Sequence, residues 1–468
     1  MQRVHIIGIG GSGLSAIAVV LLEKGWNVSG SDRQSSIMTR LLQEKGAQIN
    51  IGHAPGNVQD ADFVLRSSAV HDNNVEVQAA EKAGIPVLNR KEFLPLLLSG
   101  KECIAVSGTH GKTTTTAMLA WMLVYLGFDP TYVIGGTSSN LGGNAHAGQG
   151  SYFVIEADEY DHMFLGLTPW IAVVTNVEHD HPDCYPTPED FRLAFIEFIR
   201  QIVPGGILIV CSDNPGSYSL LSALDGNLPV GRTYGLEDSK SDYQAVNLAV
   251  NETGSYSFDF LIKSSGLFQS VDLQVPGVHN VLNALAVLAV ADRLSIPILD
   301  VAAALKEFKG VNRRFEVIGE KSGVTIIDDY AHHPTEIRAT LAAAKLKYSD
   351  RRLWAVWQPH TYSRTQFLIH GFIQAFDLAD RVLVIEIYAS REAMPANGFS
   401  SCQVVEQMKE ARKGDEKSVG YAGDLDQAAE LLMAELRYGD VVLMLSAGDA
   451  DKLSLQLLAD LDLSGRKE

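Results

Sequence analysis

The stretch CIAVSGTHGKTTTT (103–116) sets how the rest of the chain is read. Cys103 to Val106 are apolar and read as a buried strand. Ser107 and Gly108 break that run, and the threonines after Lys112 open a new apolar pattern with helical spacing. A loop between a strand and a helix can wrap phosphate oxygens in backbone N–H groups. Gly108, Thr109, His110, Gly111, Lys112, Thr113 and Thr114 are therefore the ATP-binding candidates. Lys112 supplies a point charge to the outer phosphates, and Thr113 offers a hydroxyl to Mg²⁺. The longer form of such loops wants a glycine where Val106 stands, so the match is to the shorter GTxGKT form. A plain turn explains a GKTT run at this junction poorly.

Two polar clusters follow at the ends of apolar runs. Glu156-Ala157-Asp158-Glu159 ends SYFVI, and Glu178-His179-Asp180-His181 ends WIAVVTN. In a parallel sheet, strand ends beside a phosphate loop converge on one crevice. Carboxylates and a neutral imidazole there can hold Mg²⁺ against a triphosphate. The plainer alternative is that they are exposed charged loops.

Upstream, RVHIIGIG (3–10), WNVSGSD (26–32), DFVLRSSA (62–69) and IPVLN (85–89) read as strands separated by helical patterns. The first leads into Gly8-Ile9-Gly10-Gly11-Ser12-Gly13, a glycine fingerprint that lets a pyrophosphate approach a helix N-terminus. Ser31 and Asp32 end the next strand, where an acid often meets a ribose. This unit, 1–98, is α/β with a parallel sheet. A central unit, 99–312, adds TYVIGG, WIAVVTNVE and ILIVCSD to the phosphate-loop strand. Between 243 and 275 it carries a small antiparallel patch. GVNRRFEV (310–317) reads as a hinge into a third unit, 313–468, with strands near VTIIDDY, LWAVWQP, RVLVIEIY and DVVLMLSAG.

Lys and Arg number 38 against 56 Asp and Glu, a net charge of −18, which disfavours nucleic acid and anionic membranes as partners. Cys103, Cys184, Cys211 and Cys402 form no CxxC pair, consistent with a reducing cytoplasm. No apolar run approaches the length of a membrane span, and the N-terminus carries glycines where a signal peptide would be apolar.

At these motifs the chain resembles the Mur ligases, in order and along essentially its whole length. The resemblance rests on VHIIGIGGSGLSAIA, RSSAVHDNNVEVQAA, AVSGTHGKTTTTAML, IEADEYD, VTNVEHDH, PGVHNVLNALA, GVNRRFEV, IDDYAHHPTEI, QPHTYSR and SAGDAD. It implies a Rossmann-like N-terminal domain that binds a UDP-sugar, a central P-loop ATPase and a Rossmann-like C-terminal domain that binds the amino acid. GIGGSG, SSAV…DNNVEV and DDYAHHPTEI are specific to the branch that joins L-alanine to UDP-N-acetylmuramate. The reaction implied is ATP-dependent ligation at the lactyl carboxylate through an acyl phosphate, in peptidoglycan biosynthesis.

By motif matching, Lys112, Glu156, His181, Arg314 and His332 are catalytic candidates, and Thr113, Glu156 and His181 hold the metal. Asn280, Asn283, Arg314 and Asp329 join the ATP site. Gly10, Gly11, Ser12, Gly13, Ser31, Asp32, Ser67 and Ser68 face the UDP-sugar. His332, His360 and Arg364 lie on the amino-acid side, with His332 as a base for the amine. No protein partner is implied.

Three positions depart from the branch pattern: Tyr160 for serine, Thr361 for arginine, and His179 as a second imidazole beside His181. Tyr160 matches the related ligase that recycles whole murein tripeptides, which is the alternative within the family. Sister ligases use a carbamylated lysine beyond the ligand histidine, and PDCYPTPEDFRLAFIEFIR (182–200) contains no lysine. A nicotinamide oxidoreductase would use the first glycine loop but leave GTHGKTT unexplained. A non-catalytic nucleotide-gated protein would leave Lys112, Glu156 and His181 unexplained.

Overall fold

A computed structural model describes residues 2–224, 230–412 and 418–461. The reading of a third unit to residue 468 therefore runs past the described residues. Three sheets follow one another along the chain. The first holds β1 (Arg3–Ile7), β2 (Asn27–Asp32), β3 (Gln48–Ile51), β4 (Phe63–Arg66) and β5 (Val87–Leu88), all parallel, in the order β3-β2-β1-β4-β5. The order reverses beside β1, so the crevice at its C-terminal end is the place for a ligand. The glycine loop lies there and leads into the helix Ser12–Glu23. Its cap, Gly11, offers no side chain, so the first-turn N–H groups stay open.

The second sheet has ten strands. They are β6 (Glu102–Ser107), β7 (Thr131–Ser138), β8 (Gly143–His146), β9 (Tyr152–Glu156), β10 (Ile171–Val174), β11 (Ile207–Cys211), β12 (Val230–Gly235), β13 (Tyr243–Val250), β14 (Tyr256–Ile262) and β15 (Leu267–Asp272). Their order is β15-β14-β13-β12-β11-β10-β6-β9-β7-β8. β6 sits between β9 and β10, so the phosphate loop and both polar clusters leave from neighbouring strands. The antiparallel patch is no separate sheet. It joins the parallel strands through β12 and β13, at Tyr234 and Tyr243. The helices Lys112–Tyr125 and Val278–Arg293 pack on one face over a core that includes Met118, Met122, Leu285 and Leu288.

The third sheet holds β16 (Glu316–Lys321), β17 (Val324–Asp329), β18 (Leu353–Gln358), β19 (Arg381–Ile385), β20 (Ser418–Ala422) and β21 (Val441–Ser446), ordered β16-β17-β21-β18-β19-β20. Only β16 is antiparallel. It begins inside the stretch read as a hinge. β3, β8, β12, β16 and β20 were not foreseen; all but the interior β12 are edge strands, and their apolar content is low or interrupted. The four cysteines are free. Among the described residues no helix is long and apolar enough to cross a membrane.

Candidate active site where the three sheets meet

The phosphate loop is built by exclusion of side chains. Gly108 has φ +135, and a Cβ there would lie 2.1 Å from Thr175 Oγ1. Gly111 has φ +79 and caps the helix Lys112–Tyr125 with no side-chain hydrogen bond. A Cβ on Gly111 would lie 2.6 Å from Asn283 Oδ1. The loop is anchored from the next strand end: Thr109 Oγ1 donates to the Glu178 carbonyl, and His110 N donates to Asn176 Oδ1. The result is a fixed cradle whose first-turn N–H groups face an open cavity, the arrangement that binds anions.

Lys112 folds back over this cradle. Its Nζ donates to the carbonyls of Gly108 at 2.5 Å and Thr109 at 3.1 Å, and to Glu159 Oε1 at 2.9 Å. Burial would depress its pKa, but Glu159 and its acidic neighbours outweigh that and raise it, so the ammonium stays charged. Thr113 Oγ1 donates to Glu156 Oε1 at 3.0 Å, and Gly135 N donates to Glu156 Oε2 at 2.6 Å. Burial raises the Glu156 pKa. Glu159 is 1% exposed at its side chain, and its Oε2 is buried with no hydrogen-bond partner among the described residues. His181 Nε2 lies 3.5 Å from Glu159 Oε1. A hydroxyl, two carboxylates and an imidazole around an orphaned anionic oxygen are a donor set suited to a hard divalent cation.

Two cavities meet at this point. One, of about 500 Å³, runs from Ser12 and Gly13 of the first sheet past Lys112 and Glu156 to Arg314 and His332. The other, of about 270 Å³, lies across the loop and is lined by Asn280, Asn283, Asp329 and Thr114. Gly111, Thr113, Arg314 and Glu336 line both. A phosphate chain laid on the loop would therefore reach from one cavity into the other.

Comparison with known proteins gives this geometry a family. The model of the Mur ligase family catalytic domain matches residues 3–102, that of the Mur ligase middle domain 106–291, and that of the Mur ligase glutamate ligase domain 313–448. A UDP-N-acetylmuramate–L-alanine ligase of Geotalea daltonii is 44% identical over 445 residues, covering 95% of each chain. The chain belongs to the Mur ligase family. A second relative of the same description, from Caldanaerobacter subterraneus, is 41% identical over 94% of each chain. Among solved structures, the UDP-N-acetylmuramate-alanine ligase of Thermotoga maritima superimposes with a TM-score of 0.82 at 30% identity, covering 98% of this chain and 99% of that one. A murein peptide ligase of Psychrobacter arcticus gives 0.73 at 28% identity, covering 99% and 100%.

Within this Mur ligase the expected residues fare unequally. Gly108 to Thr114, Glu156, His181, Asn280, Asn283, Arg314 and Asp329 all border the two cavities or the loop between them. Asp329 also braces the turn into the third sheet, accepting from Phe315 N and Ala331 N. His181 lines the larger cavity, whereas His179 turns away: its Nε2 meets the Tyr185 carbonyl at 2.7 Å, and its ring packs on Phe191 and Phe367. Strand alternation does not separate them, because β10 ends at Val174 and His181 has φ +55.

On the sugar side, Ser12 and Gly13 border the larger cavity, and exposed Ser68 follows Ser67, which lies against Gly8. Asp32 Oδ2 instead accepts from Gly10 N at 2.9 Å, and Gly11 N donates to Gly8 O. These N–H groups close the loop on itself rather than face a pyrophosphate. Ser31 is fully buried, and its hydroxyl donates to the buried Glu76 at 2.5 Å.

His332 lines the larger cavity, with Nδ1 against the Tyr330 carbonyl at 2.9 Å. Burial, with Arg364 adding to it, pushes its pKa down to about 3. A useful general base has a pKa near the working pH, so this ring, as placed, is a poor acceptor for an ammonium proton. Arg364 is 6% exposed, and its Nε and Nη2 hold Asp180 at 2.9 and 3.3 Å, with His360 Nδ1 3.0 Å from Nη1. It clamps the third sheet to the second.

Sequence reading missed Arg90 and Glu336, and gave Glu159 no role of its own. Gly13 admits the Arg90 guanidinium, since a Cβ there would lie 2.2 Å from Nη1, and Arg90 borders the larger cavity 3.7 Å from Asp158. Nothing local in RKEFLP marks it. Glu159 stood in a cluster already singled out, but only the fold shows that it takes both Lys112 and His181. Glu336 gathers His110 Nδ1 at 3.2 Å, His332 N at 3.1 Å and Arg314 at 3.6 Å, all within the DDYAHHPTEI neighbourhood or across from it.

Proposed function

We propose that this chain joins L-alanine to the lactyl carboxylate of UDP-N-acetylmuramate at the expense of ATP, in peptidoglycan synthesis. The observation that carries the reading is its match along nearly the full length of alanine ligases at 40–44% identity. The cavity from Gly13 to Lys112 supports it, because a UDP-sugar anchored on the first sheet would extend its carboxylate toward the phosphate loop. That carboxylate attacks the γ-phosphorus of ATP and releases ADP, giving an acyl phosphate. The amine of L-alanine then attacks the acyl carbon, and phosphate leaves.

The chain's own share is positioning and charge neutralisation. Lys112 exchanges its loop carbonyls for phosphate oxygens, and Arg314, between the two cavities, meets the same charge. Mg²⁺ would be held by Thr113, Glu156 and His181, with Glu159 beside them, and would neutralise phosphate charge when bound. The free cysteines support a reducing, cytoplasmic setting.

A second reading, addition of a whole tripeptide, is favoured by Tyr160 alone. Phosphate release should be measured with ATP, Mg²⁺ and UDP-N-acetylmuramate, adding L-alanine or the murein tripeptide. Release with L-alanine is expected, with glycine and L-serine as poorer acceptors. Release with the tripeptide only would replace this reading by the second.

A further inference from the structure

A third cavity, of about 230 Å³, lies beside the larger one, and His181 lines both. Its wall includes Tyr160, His360, Arg364 and Arg391. An amino acid that enters as the attacking amine carries a carboxylate, and a site of this size needs a cation to hold it. Arg364 is the obvious one, yet it is already committed. Two of its nitrogens hold Asp180, which is 4% exposed, and its remaining contacts are His360 Nδ1 and His181 Nδ1. Releasing Arg364 to a substrate would leave a buried carboxylate unpaired.

The acids in this cavity are engaged too. Asp183 accepts from Tyr160 Oη at 3.0 Å, and Glu392 accepts from Ser363 N and Oγ. Thr361 brings no charge; its hydroxyl caps the helix Tyr362–Phe367 by accepting from Arg364 N. Arg391 is exposed and makes no hydrogen bond or ion pair among the described residues. Its charge acts on Tyr160 across the cavity.

Resting on the ligase reading above, we propose that Arg391 is the residue that holds the α-carboxylate of the incoming amino acid. A carboxylate held there leaves the α-amine to face the wall shared at His181, toward the acyl phosphate. Arg391 thereby supplies the cation that the threonine at 361 does not.

The test is steady-state kinetics of the full chain and of Arg391→Ala and Arg391→Lys, varying each substrate in turn. Arg391→Ala should raise KM for L-alanine by on the order of 10- to 100-fold, the loss expected for a charge-assisted hydrogen bond. KM for ATP and for UDP-N-acetylmuramate should stay within about twofold, and Arg391→Lys should recover part of the loss. L-Alaninamide has the amine without the carboxylate. As substrate or inhibitor, it should half-saturate wild type and Arg391→Ala at the same concentration. An unchanged KM for L-alanine overturns the assignment, as does an equal loss for L-alaninamide. Absence of any turnover of L-alanine by the wild type would instead overturn the ligase reading.

Discussion

Lys112 is the one lysine within the phosphate loop, and each hydrogen-bond partner of its ammonium is an oxygen that a phosphate oxygen could replace. Lys112→Ala should lower ligation by about 10²–10³, the usual effect of removing one contact to developing charge, while circular dichroism stays unchanged. Near-normal turnover in a folded variant would remove the loop from the chemistry. The paired histidines give a second test at this scale. His181 sits 3.5 Å from Glu159, whereas His179 is tied to Tyr185 and two phenylalanines. His181→Ala should lose activity, with any remainder needing more Mg²⁺. His179→Ala should keep its turnover but lose about 1–3 kcal/mol of stability, the range for a buried packing and hydrogen-bond defect. A Mg²⁺ titration and a thermal melt on both variants separate the outcomes, and bicarbonate should alter neither. An inactive His179→Ala beside an active His181→Ala would reverse the assignment.

At the scale of elements, strand–loop–helix junctions were the most legible part of the sequence. CIAVSGTHGKTT announces its strand, its loop and its helix because each step needs a residue type that the others exclude. Gly111 is the sharpest case, since its φ of +79 and the Asn283 carboxamide both rule out a side chain. Gly111→Ala should therefore strain the loop by about 1–3 kcal/mol and push it from Asn283. Calorimetry should show ADP affinity falling by about five- to 140-fold, by the conversion of such a cost into binding. Wild-type affinity would mean that the loop relaxes without loss. Short edge strands were illegible for the opposite reason. Gln48–Ile51 and Ser418–Ala422 take their conformation from the neighbour they pair with, not from a pattern of their own.

Across the whole molecule the third sheet is held to the second by charged contacts at the site itself. Arg364 pairs with Asp180, Thr335 Oγ1 donates to Glu178, and His110 bridges Glu178 at 3.1 Å and Glu336 at 3.2 Å. Burial alone would depress the His110 pKa, but Glu336 and Glu178 outweigh it and push it up to about 9. An unfolded histidine titrates near ~6.5. The folded value is the higher one, so the stabilisation is complete below about 6.5 and is lost as pH rises through about 9. Thermal midpoints recorded between these pH values should fall more for wild type than for His110→Gln. Parallel profiles for the two would show that the bridge does not hold the units together.

What the sequence determined by itself was local: the two glycine loops, the lysine in the second of them, the acidic strand ends and the order of α/β units. Each is written in contiguous residues, because backbone geometry and hydrogen bonding act over a few positions. Only the tertiary structure decided how those pieces face one another. Ser31 looked like a ligand-facing strand end, but Glu76, far along the chain, takes its hydroxyl inward. Arg364 looked free for a substrate, yet Asp180 on another sheet claims it. Arg90 carried no signal at all until Gly13 was seen to make room for it. Pairing of charges in a low-dielectric interior depends on distance in space, and sequence separation says nothing about that distance.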